Sequence, residues 1–195
     1  MGSRILQRLL DNFDAAAFDN LRDNIFSRCE KGTLSIVGNA NSILKTNNGN
    51  LIDNTFVLRM NQGLPIKPNA QGAKTDMLCY SEPSVFKNQE IDNFDGIKVH
   101  MSPKGRILGD DCGVYYFPIN FWEELFKTLK SRPSVGVMSI YLIHKLKVPN
   151  VHVFGFDFKK TKTFYSSFNK RRTHDFEAEE RFCLNLIAQN GWIFH

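Results

Sequence analysis

Four short runs constrain this chain more than any other feature: "TLSIVG" (33–38), "TFVLRM" (55–60), "TDMLCYS" (75–81) and "VHVFGFDF" (151–158). Their cores are apolar at nearly every position rather than at alternate ones. Such strands need cover on both faces, as in a parallel sheet packed between helices. "KVHM" (98–101) and "VYYF" (114–117) add two shorter strands, and "GWIFH" (191–195) predicts a final one. Helical spacing marks Phe121–Lys130, Ser134–Lys147 and His174–Asn190. Strands alternating with helices predict an α/β fold with a mostly parallel sheet.

The first 31 residues read differently. Ile5, Leu6, Leu9, Leu10 and Phe13, then Phe18, Leu21, Ile25 and Phe26, recur at steps of three and four. That is an amphipathic helix. We expect residues 1–31 to be a helical segment packed on one domain formed by 32–195. The other use of such a helix is a membrane or partner surface. The chain has 195 residues, enough for one sizeable core. It has no run of about 18 apolar residues that would span a membrane.

Composition excludes little. A net charge of +5 suits a phosphate-bearing ligand, a nucleic acid or an anionic membrane surface equally. The four cysteines (Cys29, Cys79, Cys112, Cys183) include no CxxC pair. The five histidines (His100, His144, His152, His174, His195) show no metal-ligand spacing. Cys79 and Cys183 lie in apolar runs and read as core residues.

In open parallel sheets, ligands bind beyond the carboxyl ends of the strands. Four polar groups fall there: "GNANS" (38–42), "RMNQG" (59–63), "YSEP" (80–83) and "GFDF" (155–158). Asparagine recurs instead of a glycine-rich cradle. Asn39 read locally fits an Asx turn or a helix cap as well as a ligand contact. Between Lys159 and Arg172 lie six Lys/Arg, with Tyr165 and several hydroxyls among them, as phosphate recognition requires. That loop ends at His174. With Thr173 as N-cap, His174 would lie in the first helical turn, where the dipole disfavours its protonated form and helps a general base. The apolar stripe of this helix runs through Glu179, so its carboxylate requires a partner. Arg59 in "FVLRMN" is one candidate.

These segments resemble the sialylmotifs of the animal-type sialyltransferases. "LSIVGNANSILKTNNGNLIDNTFVLRMNQGLPIKPNAQGAKTDMLCYSEP" looks like the long motif. "RPSVGVMSIYLIHKLKVPNVHVFGFDF" looks like the short motif, and "THDFEAE" the very short one, with His174 five residues before Glu179. The resemblance covers roughly residues 33 to 195. It implies a single Rossmann-like glycosyltransferase domain, a GT-A-like variant, that uses a CMP-activated sugar with inversion and without metal or other cofactor. CMP-sialic acid is the donor it implies first; CMP-Kdo is a close variant. Glycans or lipid-linked saccharides would be acceptors. Nucleic acid is not an expected partner, and a peripheral membrane contact stays open.

Carried over by position, Gly38, Asn39, Asn41, Asn61 and Ser81 would line the donor site, with Asn39 and Asn61 on ribose and phosphate. Ser134, Val135 and Gly136 would offer backbone N–H groups to the sugar carboxylate or cytidine. Gly155, Phe156 and Asp157 would border the nucleoside. His174 would be the base. Thr163 stands where the family has a phosphate-binding histidine. The spacing from "GFDF" is instead similar to bacterial capsule and lipooligosaccharide sialyltransferases, so Tyr165, with Lys159 or Lys162, is assigned to the leaving phosphate. Leu34 and Val148 replace the family's linking cysteines. This suggests a reducing, cytoplasmic setting and a short, disulfide-lacking, bacterial or viral-like member without stem or anchor. Val135 replaces the threonine of the short motif. Two rivals remain: a degenerate, non-catalytic transferase fold, and a nucleotide or anionic-surface binder resting on the 159–172 cluster. Acceptor contacts would fall in 102–118, where Asp110 and Asp111 lie, or in 159–172.

Overall fold

In a computed structural model that describes residues 2–29, 32–81, 94–103, 113–165 and 174–195, seven strands form one sheet. They are β1 (Thr33–Val37), β2 (Phe56–Met60), β3 (Met77–Tyr80), β4 (Ile97–His100), β5 (Val114–Tyr116), β6 (Asn150–Phe154) and β7 (Ile193–Phe194). Their order is β5-β4-β3-β2-β1-β6-β7, and every pairing is parallel. β1 is central: Leu34 pairs with Phe56 on one side and Val151 on the other.

The doubly apolar runs have the predicted cause. Leu34, Ile36, Phe56, Leu58, Met60, Val151 and Val153 enter the larger core on one face. Val37, Val57 and Phe154 enter a smaller one on the other, with Ile43 and Ile52. A 3-10 turn (Asn41–Lys45), α2 (Gly49–Asp53) and α3 (Pro68–Gln71) lie between β1 and β3 in the chain. The longer helices are α1 (Gly2–Arg28), α4 (Ile119–Leu129), α5 (Val135–Lys145) and α6 (Phe176–Gln189). α5 is buried nearly all round, as its mostly apolar sequence requires, and its buried Ser139 hydroxyl donates back to the Val135 carbonyl. The second half of α1 places Leu21 and Ile25 in the larger core. The Tyr115 hydroxyl donates to Asn20 and accepts from Asn24 on α1. Among the described residues no helix is long and apolar enough to cross a membrane.

Two of the boundary changes bear on the site. β6 stops at Phe154 instead of continuing to Phe158. Gly155 turns to φ +66°, and Phe158 and Lys159 are also left-handed (φ 50° and 69°), so the ladder cannot continue. The N-cap of α6 is Asp175, whose carboxylate accepts from the Ala178 N–H at 3.0 Å. His174 therefore precedes the cap instead of lying in the first turn; Thr173 lies outside the described residues.

Candidate active site

The strand order reverses at β1. The chain steps outward through β2 to β5, then returns by α4 and α5 to place β6 on the other side. A parallel sheet opens its ligand crevice at such a switch point. Here the two strands end in glycines that nearly touch. A Cβ on Gly38 would lie 2.3 Å from the Gly155 carbonyl oxygen and 2.8 Å from the Phe156 ring. Glycine is required because backbone meets backbone.

The chain after β6 folds back over this point. The Asn41 N–H donates to the Lys162 carbonyl (2.9 Å), the Phe164 N–H donates to the Asn39 carbonyl (3.1 Å), and Ala40 forms an antiparallel bridge with Thr163. Asp157 organises the strap. Its carboxylate accepts from the Lys159 N–H (3.1 Å), the Thr161 N–H (3.0 Å), the Thr161 hydroxyl and the Ser42 hydroxyl (3.3 Å). The Lys159 ammonium donates to the Thr163 hydroxyl. Burial pushes the Lys159 pKa down, against the pull of Asp157.

Asn39 does not cap the following turn, whose N-cap Ala40 has no side-chain bond. Its amide nitrogen instead donates to the Met60 carbonyl (2.9 Å) and to the Tyr165 hydroxyl (3.2 Å). Asn61, held at φ 51°, accepts the Ser81 N–H on its side-chain oxygen (3.2 Å) and so ties the end of β2 to β3. Asn tolerates this backbone better than most residues. Asn41 is exposed beside the strap.

On the other wall, Ser134 caps α5, and both its N–H and its hydroxyl donate to Glu179, at 2.7 and 2.6 Å. Glu179 is 2% exposed, and burial raises its pKa to about 7 despite those two bonds. The Ser134 N–H is thus committed. Val135 and Gly136 keep the open N–H groups of that first turn, and Phe156 covers Gly136 closely: a Cβ there would lie 3.0 Å from its ring.

His174 stands at the same corner. Its Nδ1 donates to the Arg132 carbonyl at 2.7 Å. A carbonyl only accepts, so Nδ1 carries the hydrogen and Nε2 keeps its lone pair. Burial lowers the His174 pKa; the Arg132 bond opposes this, while the charges of Arg132 and Lys159 add to it. Neutral at physiological pH, with an acceptor nitrogen, the ring is equipped as a base.

The pairing of Arg59 with Glu179 does not occur. Arg59 is fully buried on the opposite face, donating through Nε to the Lys74 carbonyl and the Thr75 hydroxyl, and through Nη2 to the Gln71 and Gly72 carbonyls. Alternation along β2 puts it on the side of Val57, away from Phe56 and Leu58. Its pKa is pushed down to about 10 by burial. Asp110, Asp111 and Cys112, the residues 82–83 of "YSEP", and the cations of 166–172 lie outside the described residues. Sequence reading missed Ser131 and the Met60 and Arg132 carbonyls, and gave Ser42 and Gly63 no role of their own within "GNANS" and "RMNQG". Backbone acceptors leave no trace in side-chain identity.

Solved sialyltransferases share this fold. A mammalian sialyltransferase, in complex with Gal-beta-1-3GalNAc-ortho-nitrophenol, aligns with TM-score 0.63 and 19% identity over 84% of this chain and 68% of its own. The sialyltransferase CstII from Campylobacter jejuni, in complex with the substrate analogue CMP-3FNeuAc, aligns with TM-score 0.56 and 14% identity over 84% and 79%. An alpha-2,3-sialyltransferase from Campylobacter jejuni in apo form gives 0.56 and 18% over 84% and 74%. No family model matches the sequence, and no curated protein does. The fold is that of the sialyltransferase class of glycosyltransferases.

Proposed function

We propose that this chain is an inverting glycosyltransferase that moves sialic acid from CMP-sialic acid to a hydroxyl of a glycan or lipid-linked saccharide. The observation that carries this reading is His174, with Nδ1 held by the Arg132 carbonyl and Nε2 left as acceptor, beside the committed Ser134–Glu179 corner. The fold supports it, and two structures with that fold were solved with CMP-3FNeuAc and with a disaccharide derivative.

In this mechanism Nε2 of His174 takes the proton of the acceptor hydroxyl. The oxygen forms its bond to the anomeric carbon as the bond from that carbon to the phosphate oxygen breaks on the opposite face. CMP leaves with the electron pair. The Tyr165 hydroxyl and the Lys159 ammonium stabilise its phosphate in place of a divalent cation. The Val135 and Gly136 N–H groups face the anionic part of the donor. Leu34 and Val148, in place of linking cysteines, are buried apolar residues, which supports a reducing, cytoplasmic setting. A lipid-linked acceptor would bring the basic chain to a membrane surface.

The test is CMP release and sugar transfer from CMP-sialic acid and CMP-Kdo to an acceptor panel, with and without EDTA. We expect transfer insensitive to chelator, and His174→Ala slower by about 10²–10⁴-fold with CMP affinity retained. Transfer by His174→Ala at the wild-type rate overturns the base assignment. Salt-sensitive oligonucleotide binding without a thermal shift from CMP overturns the transferase reading.

A further inference from the structure

We infer that Asn39 is a positioning residue that acts on the leaving phosphate through Tyr165, by holding the phenol so that its proton points at the donor. The inference rests on the transferase reading for its chemistry, while the pair itself is a matter of geometry.

An amide nitrogen has two hydrogens, and both are committed here, to the Met60 carbonyl at 2.9 Å and to the Tyr165 oxygen at 3.2 Å. Met60 fixes the orientation, since a carbonyl can only accept and must face the nitrogen. The second N–H then occupies a lone pair of the phenol. The phenolic proton is left to point elsewhere, and Tyr165, 37% exposed, is open to a ligand. The arrangement is built in before any ligand binds. The Phe164 N–H is bonded to the Asn39 carbonyl, Ala40 bridges Thr163, and the Phe164 and Tyr165 rings meet edge to face at 5.4 Å. Gly63 closes the far side of the amide: a Cβ there would lie 2.0 Å from the Asn39 side-chain oxygen. The Asn39 bond also pulls the phenol pKa down, against burial that raises it.

A double-mutant cycle tests this. Asn39→Ala should lower kcat by about 10-fold, the worth of one well-placed hydrogen bond, and change it by less than about 2-fold in a Tyr165→Phe background. Asn39→Asp, of the same shape, turns an acceptor toward the phenol, captures its proton and should be slower than Asn39→Ala. Full persistence of the Asn39→Ala effect in Tyr165→Phe, or Asn39→Asp faster than Asn39→Ala, overturns the inference. Ultraviolet titration of the phenols supplies a readout independent of turnover. The titration that disappears in Tyr165→Phe should move to higher pH in Asn39→Ala; an unmoved titration overturns the pair. If the wild type transfers no sugar, the transferase reading fails, while this titration still decides whether Asn39 sets Tyr165. Asn39→Asp carries the same readout should Asn39→Ala fail to fold.

Discussion

Glu179 accepts both the N–H and the hydroxyl of Ser134, at 2.7 and 2.6 Å, and so fastens the first turn of α6 to the N-cap of α5. The same stretch receives two more ties from just ahead of α6. His174 donates to the Arg132 carbonyl, and the Asp175 N–H donates to the Ser131 hydroxyl. Residues 131–134 are therefore held at three points by residues 174–179. The proposed base and the N-terminus of α5 thus share one fixed corner.

Replacing Glu179 should make this corner's dependence on pH visible. Its folded pKa, about 7, lies above the ordinary 4.5. The folded chain thus binds an extra proton between these values. The stability it contributes is full below about 4.5 and is lost as pH rises through about 7. Each unit of that window is worth at most about 1.4 kcal/mol. Thermal melts from pH 5 to 8 should show the wild type losing stability relative to Glu179→Gln by several degrees. Parallel curves for the two proteins would sink the prediction. Glu179→Ala, which leaves two buried donors unpaired, should cost about 1–3 kcal/mol for each.

The His174 pKa is lowered, first by burial and then by the charges of Arg132 and Lys159. The proposed base would act when neutral, so transfer should hold its plateau to a pH below the ordinary histidine value of about 6.5. Only on the acid side of that should kcat/KM fall. Lys159→Gln removes one of those charges and should move the acid limb to higher pH. A pH–rate profile of both proteins checks the direction; an acid limb above 6.5 in the wild type contradicts it.

Gly38→Ala should destabilise the switch point directly. The new Cβ would lie 2.3 Å from the Gly155 oxygen and 2.8 Å from the Gly155 carbonyl carbon, so neither partner is a side chain that can swing away. Overpacking of this kind costs typically 1–3 kcal/mol, and CMP binding should fall with it. Gly136→Ala makes its closest contact with the Phe156 ring at 3.0 Å, which can tilt. Its melt should stay within about 1 kcal/mol of wild type. Melting and CMP titration of both variants compare a backbone clash with a side-chain one; equal losses would show that close backbone approach is not what requires Gly38.

The doubly apolar runs announced the parallel sheet because burial on two faces leaves its mark on every residue of a strand. The glycines after "LSIV" and "VHVF" were legible for a similar reason: Gly38 and Gly155 stand where only glycine fits. Asn39 was legible as a polar group but not in its role, since its partners, the Met60 carbonyl and Tyr165, lie 21 and 126 residues away. Glu179 was correctly seen to need a partner. Arg59 looked suitable only because periodicity along one strand cannot say which sheet face meets α6. The end of β6 was misread because "GFDF" continues the apolar pattern while its backbone turns left-handed at Gly155.

Asp157 is the residue through which the strap over the crevice should fail. One carboxylate accepts two N–H groups, at Lys159 and Thr161, and two hydroxyls, from Ser42 and Thr161. Asparagine keeps the size but replaces one oxygen with an N–H₂ group, which faces those donors with hydrogens of its own. The two hydroxyls can rotate to accept; the two N–H groups cannot. At least one backbone donor therefore loses its partner, at about 1–3 kcal/mol. That loss falls on a segment tied to the body by the Asn41–Lys162 and Phe164–Asn39 backbone bonds. Asp157→Asn should leave global melting near wild type, speed tryptic cleavage at Lys159, Lys160 and Lys162, and weaken CMP binding about 10-fold. CMP added first should slow that cleavage. Cleavage as slow as in the wild type would mean that the strap is held by its backbone bonds alone.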